Sequence, residues 1–130
     1  MLSPRILVVE DEPLIRMVAV DTLRDAGFQV EEAASAAEAM AKVHDGGWRF
    51  DAAIIDIGLP DRPGDKLVLE IRATWPDLPI VIASGHDRAQ FIGRFTSDSQ
   101  LRVVSKPYNN EALSDALAAL GIKTSFRHPD

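Results

Sequence analysis

The sequence predicts an α/β fold, a doubly wound parallel five-stranded sheet built as (βα)5. Three observations carry this. Short apolar runs alternate with helix-patterned stretches along the chain. Three runs, Ile6–Val9, Ala52–Ile55 and Ile80–Ala83, are continuous and largely β-branched, as strands covered on both faces require. Two others, Gln29–Glu32 and Leu101–Val104, are more polar and suit sheet edges, where one side meets water.

The helices between them follow from local signals. After the first strand, Pro13 stands at a first helical position, Ile15, Val18, Ala19 and Ala26 follow helical spacing, and Gly27 stops the helix. Ser35 and Glu38 have capping-box spacing ahead of an apolar stripe of Ala36, Ala39, Met40 and Val43, which Gly46–Gly47 ends. Val68, Ile71 and Trp75 mark a third helix, closed by Pro76. Leu113, Ala116, Leu117 and Leu120 mark the last, closed by Gly121. The segment 87–99 is the weakest: Phe91 and Phe95 suit packing, but Gly93 and the run Thr96–Ser99 point to a short or mobile helix.

Composition narrows the function. The chain has 130 residues, 46% of them apolar, enough for one domain with a core, and no repeat or low-complexity tract divides it. A formal net charge of −6 runs against non-specific nucleic-acid binding, which draws on Lys and Arg. With no cysteine there is no disulfide scaffold, thiolate site or cysteine nucleophile, and His44, His86 and His128 lack zinc-motif spacing. Glu10–Asp11–Glu12 ends the first apolar run too early for a signal peptide or membrane span, so a cytoplasmic protein without membrane contact is expected. Residues 1–121 are expected to form the domain and 122–130 a mobile tail.

Right-handed crossovers and the two polar edge strands suit the flavodoxin-like strand order 2-1-3-4-5. In such sheets the site lies beyond the carboxyl ends of the strands where the order reverses, here between the first and third. Glu10 and Asp11 follow the first strand and Asp56 ends the third, so three carboxylates converge there. Like charges this close repel unless a cation joins them, and an all-oxygen ligand set points to a hard ion, Mg²⁺ or alternatively Mn²⁺. Ser84 and Lys106 follow the fourth and fifth strands onto the same rim. A hydroxyl donor and an ammonium beside a metal-bound carboxylate suit a phosphoryl group, and the Asp56 carboxylate suits its nucleophile.

At these positions the chain resembles the receiver domains of two-component response regulators, from Ile6 to about Leu120. The resemblance rests on Val8-Val9-Glu10-Asp11-Glu12, Ile55-Asp56-Ile57-Gly58-Leu59-Pro60 with Gly64, Ala83-Ser84-Gly85 and Ser105-Lys106-Pro107-Tyr108, in order and each at a strand end. It implies that Asp56 is the phosphoacceptor. It further implies that Asp11, Asp56 and the Gly58 carbonyl bind the metal directly, that Glu10 reaches it through water, and that Ser84 and Lys106 hold the phosphoryl group. The implied donor is a histidine kinase or histidine phosphotransfer protein, and the output an unidentified downstream protein. One departure stands out: the strand position three before Lys106, aromatic in most receivers, is Val103.

Blander readings exist for each residue. Asp56 and Lys106 alone would be solvated surface charges, Ser84 could cap the next helix, Glu10 could be an electrostatic neighbour, and His86 could be a plain surface histidine near the phosphoryl entrance. Phe91, Phe95 and Tyr108 read as packing residues. Among functions, the start at Met1 and the absence of a following effector suit a separate single-domain regulator that signals through a partner, onward phosphotransfer or as a phosphate sink; a receiver cut from a hybrid kinase is the alternative. A phosphatase of the haloacid-dehalogenase type also uses an aspartate nucleophile and Mg²⁺, but its general acid two residues on would fall on Gly58. A phosphorylation-independent interaction module is a third possibility.

Overall fold

Five parallel strands form one sheet in the order β2-β1-β3-β4-β5. The computed structural model describes residues 4–44, 50–84, 100–105 and 110–122. The elements are β1 (Arg5–Val9), α1 (Pro13–Asp25), β2 (Gln29–Ala33), α2 (Ala36–His44), β3 (Ala52–Asp56), α3 (Gly64–Thr74), β4 (Ile80–Ser84), β5 (Leu101–Ser105) and α4 (Asn110–Ala119). Each strand is one residue longer than its predicted run, β1 at its start with Arg5 and the other four at their ends. The two polar strands, β2 and β5, are the edges. The segment 87–99 lies outside the described residues, as do His86 and the tail from residue 123.

The core has two layers, because alternate strand residues face opposite sides of the pleat. Leu7, Val9, Ala53, Ile55, Ile80, Ile82 and Leu101 pack with Ala36, Ala39 and Val43 of α2 and Leu67, Val68 and Ile71 of α3. Ile6, Val8, Ala52, Ile54, Val81, Ala83 and Val104 pack with Ala19, Val20 and Leu23 of α1 and Leu113, Ala116 and Leu117 of α4. Burial on both faces is the reason the inner strands read as unbroken apolar runs. Ile6, Leu7, Ile55, Ile80 and Ile82 are all at 0% exposure, and each contributes about 1.5–3 kcal/mol by leaving water. Val103 is partly buried against the α2–α3 layer.

The edge strand β2 is shielded by charge. Lys42 donates to the Glu32 carbonyl and pairs with Glu31 at 3.4 Å, and Arg24 Nη2 donates to the Val30 carbonyl at 3.4 Å. Such side chains occupy groups that would otherwise template another strand. Helix ends follow the sequence signals. Pro13 opens α1, Ser35 Oγ accepts from the Glu38 N–H at 3.1 Å, and Gly27 and Gly121, at φ 98° and 83°, take the left-handed conformation that closes α1 and α4.

Two sequence expectations need correction. Val18 is 56% exposed, not core-facing, and stands with Leu14 and Met17 on the outer side of α1. The helix carries two apolar stripes, and the sheet covers only the one through Ala19, Val20 and Leu23. Trp75 is 40% exposed. It lies past the end of α3 at φ −126°, ψ 77°, since a residue before proline is pushed out of the helical region and its side chain leaves the stripe. Ile122 packs against the α1–α4 layer and donates its N–H to the Leu117 carbonyl at 2.9 Å.

Candidate functional site

The sheet register brings the candidate residues to one edge. Val9 pairs with Ile55, so Glu10 and Asp56 leave neighbouring strands side by side. Asp56 pairs with Ala83, so Ser84 closes β4 next to it. Glu10, Asp56 and Ser84 are buried, at 1%, 4% and 1% exposure, and Asp11 is half-buried. Glu10, Asp11 and Asp56 each offer a carboxylate oxygen, and these oxygens lie within 4.8 Å of one another. Hard oxygen donors at that spacing could hold a metal ion. Lys106 lies outside the described residues.

Backbone contacts set the carboxylates in place. The Glu10 N–H donates to the Ala33 carbonyl at 3.0 Å, extending the β1–β2 ladder past the strand. Glu10 Oε2 accepts from the Glu12 N–H at 3.2 Å, which folds the turn into α1. Arg16 Nη1 reaches back from α1 to the Glu10 carbonyl at 2.7 Å while its Nε pairs with Glu32 at 3.2 Å. Asp56 Oδ1 accepts from the Gly58 N–H at 3.2 Å, so the residue that follows Ile57 turns back over the Asp56 carboxylate.

The loop between β3 and α3 is tied down along its length. Ile57 donates its N–H to the Ala83 carbonyl at 3.0 Å, and Gly64 donates to the Ile57 carbonyl at 2.8 Å. A Cβ on Gly64 would stand 2.4 Å from the Asp56 carbonyl oxygen and 2.6 Å from Ile57 Cα, so only glycine lets α3 start this close to Asp56. Midway, Asp61 accepts from the Ala36 N–H through Oδ1 and the Ala37 N–H through Oδ2, both at 2.9 Å. These bonds hold its carboxyl below the usual aspartate range.

Asp61 and Arg16 escaped the sequence reading. The partners of Asp61 lie 24 and 25 residues away, so no local pattern announces it. Arg16 reads as one more exposed helix charge until the turn after β1 is folded beneath it.

Comparison with known proteins agrees with this geometry. The family model described as the response regulator receiver domain matches residues 6–118. The chain is 32% identical over 112 residues to the sensor kinase CckA of Brucella abortus, covering 86% of this chain and 12% of that protein. It is 34% identical over 116 residues to the transcriptional regulatory protein PhoP of Escherichia coli, covering 89% of this chain and 51% of the regulator. It thus corresponds to one part of each of these longer relatives. The chemotaxis response regulator CheY4 of Vibrio cholerae superposes with a TM-score of 0.81 at 29% identity, over 92% of this chain and 99% of that chain. Among the described residues no helix is long and apolar enough to cross a membrane. With its 2-1-3-4-5 sheet, its acidic cluster at the strand ends and this match over most of its length, the chain belongs to the response regulator receiver domain family of two-component signalling.

Proposed function

We propose that the protein is a phosphorylation switch in which Asp56 accepts a phosphoryl group from the phosphohistidine of a histidine kinase or histidine phosphotransfer protein. The observation that carries this is the meeting of Glu10, Asp11 and Asp56 at the carboxyl ends of β1 and β3, with ligand oxygens within 4.8 Å. An Asp56 carboxylate oxygen bonds to phosphorus as the P–N bond of the phosphohistidine breaks, and the leaving imidazole keeps the P–N electron pair and takes up a proton. The Ser84 hydroxyl donates to one phosphoryl oxygen and the Lys106 ammonium meets another.

The donor set fits Mg²⁺, with Mn²⁺ as a substitute. Asp11, Asp56 and the Gly58 carbonyl would hold it directly and Glu10 through water. Such an ion, when bound, neutralises charge that builds on the phosphoryl oxygens. Burial of Glu10 and Asp56 keeps water from screening these interactions. In this reading residues 1–121 form the switch, in the cytoplasm where the donor is made, and output passes to a partner protein or by onward phosphotransfer. Whether the unit acts alone or within a longer chain does not alter the chemistry.

The test is incubation with a small acyl-phosphate donor and Mg²⁺, read by intact mass. The wild type is expected to gain a base-labile phosphoryl group, lost in chelator and absent from Asp56→Asn. Label on Asp56→Asn at the wild-type level would overturn the assignment.

A further inference from the structure

We propose that Asp61 is a positioning residue for the cation site, anchoring the loop that presents Gly58 to the N-terminus of α2. The proposal rests on the reading of Glu10, Asp11, Asp56 and Gly58 as the ligand set.

The loop from Ile57 to Pro63 is secured at both ends by backbone bonds, Ile57 to Ala83 at 3.0 Å and Gly64 to Ile57 at 2.8 Å. Between them its course is set by Asp61. That side chain is exposed, yet both oxygens are taken by first-turn amides of α2, Ala36 and Ala37, at 2.9 Å each. A carboxylate there also meets the positive end of the helix dipole. Helix α2 is a firm base, because Ala36, Ala39 and Val43 are buried in the core. Gly58 lies three residues before Asp61 and two after Asp56, inside the span that the anchor immobilises. Asp61 bonds the helix with both oxygens, so it acts on the cation through the Gly58 backbone. Without the anchor the loop keeps its end bonds, the buried Leu59, the Gly58 N–H bond to Asp56 and the Arg62–Glu70 pair, but loses its tie to α2, and the Gly58 carbonyl samples other directions.

A second feature separates anchoring from helix stability. Ser35 caps the same first turn through the Glu38 N–H at 3.1 Å, but Ser35 is not part of the loop. Ser35→Ala and Asp61→Ala therefore both weaken the start of α2, and only the second releases Gly58. By reciprocity, a cation that fixes the loop also tightens the Asp61 bonds to Ala36 and Ala37.

The experiment is titration calorimetry of the full chain with MgCl₂, for wild type, Asp61→Ala, Asp61→Asn and Ser35→Ala. Amide hydrogen exchange at Ala36 and Ala37, with and without Mg²⁺, accompanies it. Asp61→Ala is expected to raise the Mg²⁺ Kd about tenfold, as loss of a residue that orients a metal ligand does. Asp61→Asn, with the same loss of charge but one acceptor oxygen kept, is expected to recover part of that affinity. Ser35→Ala is expected to melt lower with an unchanged Kd. In the wild type Mg²⁺ is expected to slow exchange at Ala36 and Ala37. The proposal is overturned if Asp61→Ala binds as wild type does, if Asp61→Asn is as weak as Asp61→Ala, if Ser35→Ala loses as much affinity, or if exchange at both amides ignores Mg²⁺. A wild type that binds no Mg²⁺ at all overturns the ligand set itself, and the anchor with it.

Discussion

Gly64→Ala places a methyl group where the structure has no room for one. The new Cβ would lie 2.4 Å from the Asp56 carbonyl oxygen, 2.6 Å from Ile57 Cα and 3.0 Å from the Asp56 carbonyl carbon, against 3.4 Å or more for ordinary contact. About 1 Å must open, and every neighbour is backbone, so no side chain can rotate away. Conformation pulls the other way. The only described glycines at positive φ are Gly27 and Gly121, so alanine is allowed at Gly64 and would by itself stabilise by ~0.4–1 kcal/mol through the unfolded chain. Overpacking costs ~1–3 kcal/mol, with rigid neighbours at the upper end. Loss of the bond from the Gly64 N–H to the Ile57 carbonyl adds about 1 kcal/mol. The steric term wins, and a net loss of ~2–3 kcal/mol is expected. Urea unfolding followed by far-UV circular dichroism measures it through the shift in midpoint at constant slope. Stabilisation by Mg²⁺ should also fall, because the backbone pushed aside is that of Asp56 and Ile57, which leads directly into Gly58. A midpoint equal to or above that of wild type would refute the close approach of α3 to the Asp56 backbone.

The companion substitutions have opposite signs. Gly58→Ala should stay within about 0.5 kcal/mol of wild type by the same denaturation assay, because its Cβ would meet nothing nearer than Asp56 Oδ1 at 3.9 Å and a backbone carbonyl remains available to the cation. Asp56→Asn removes one charge from three crowded carboxylates, so it should melt higher than wild type in chelator and gain less from Mg²⁺. The wild type itself should gain about 2.7 kcal/mol at a hundredfold excess over Kd, and an unmoved wild-type melt would contradict a shared site. For Asp61, the two α2 amides depress the folded pKa, so its contribution is present above the ordinary aspartate value of 3.8 and fades as pH falls through the lower folded value. The melting advantage of wild type over Asp61→Asn should therefore shrink on acidification below 3.8; a gap independent of pH would remove the charge-assisted bonds.

What could be read from sequence was whatever depends on local pattern. Continuous β-branched runs such as Ile80–Ala83 suit strands buried on both faces, and Gly27 and Gly121 stop helices by their own backbone freedom. Strand ends then located Glu10, Asp11, Asp56 and Ser84 without coordinates, because a parallel sheet puts the carboxyl ends of its strands on one rim. Pattern failed where a residue had two ways to be apolar. Leu14, Met17 and Val18 repeat at helical spacing as credibly as Ala19 and Leu23, and only the packing of α1 on the sheet decides which stripe is covered. Trp75 misled for a different reason, since Pro76 ends the helix before the side chain can join its stripe. The tertiary structure alone decided the supports of the site. Asp61 finds Ala36 and Ala37 across 25 and 24 residues, and Gly64 is needed because of backbone eight residues earlier. Contacts between distant segments exist only once the sheet has set their distance, and no periodicity in the chain encodes them.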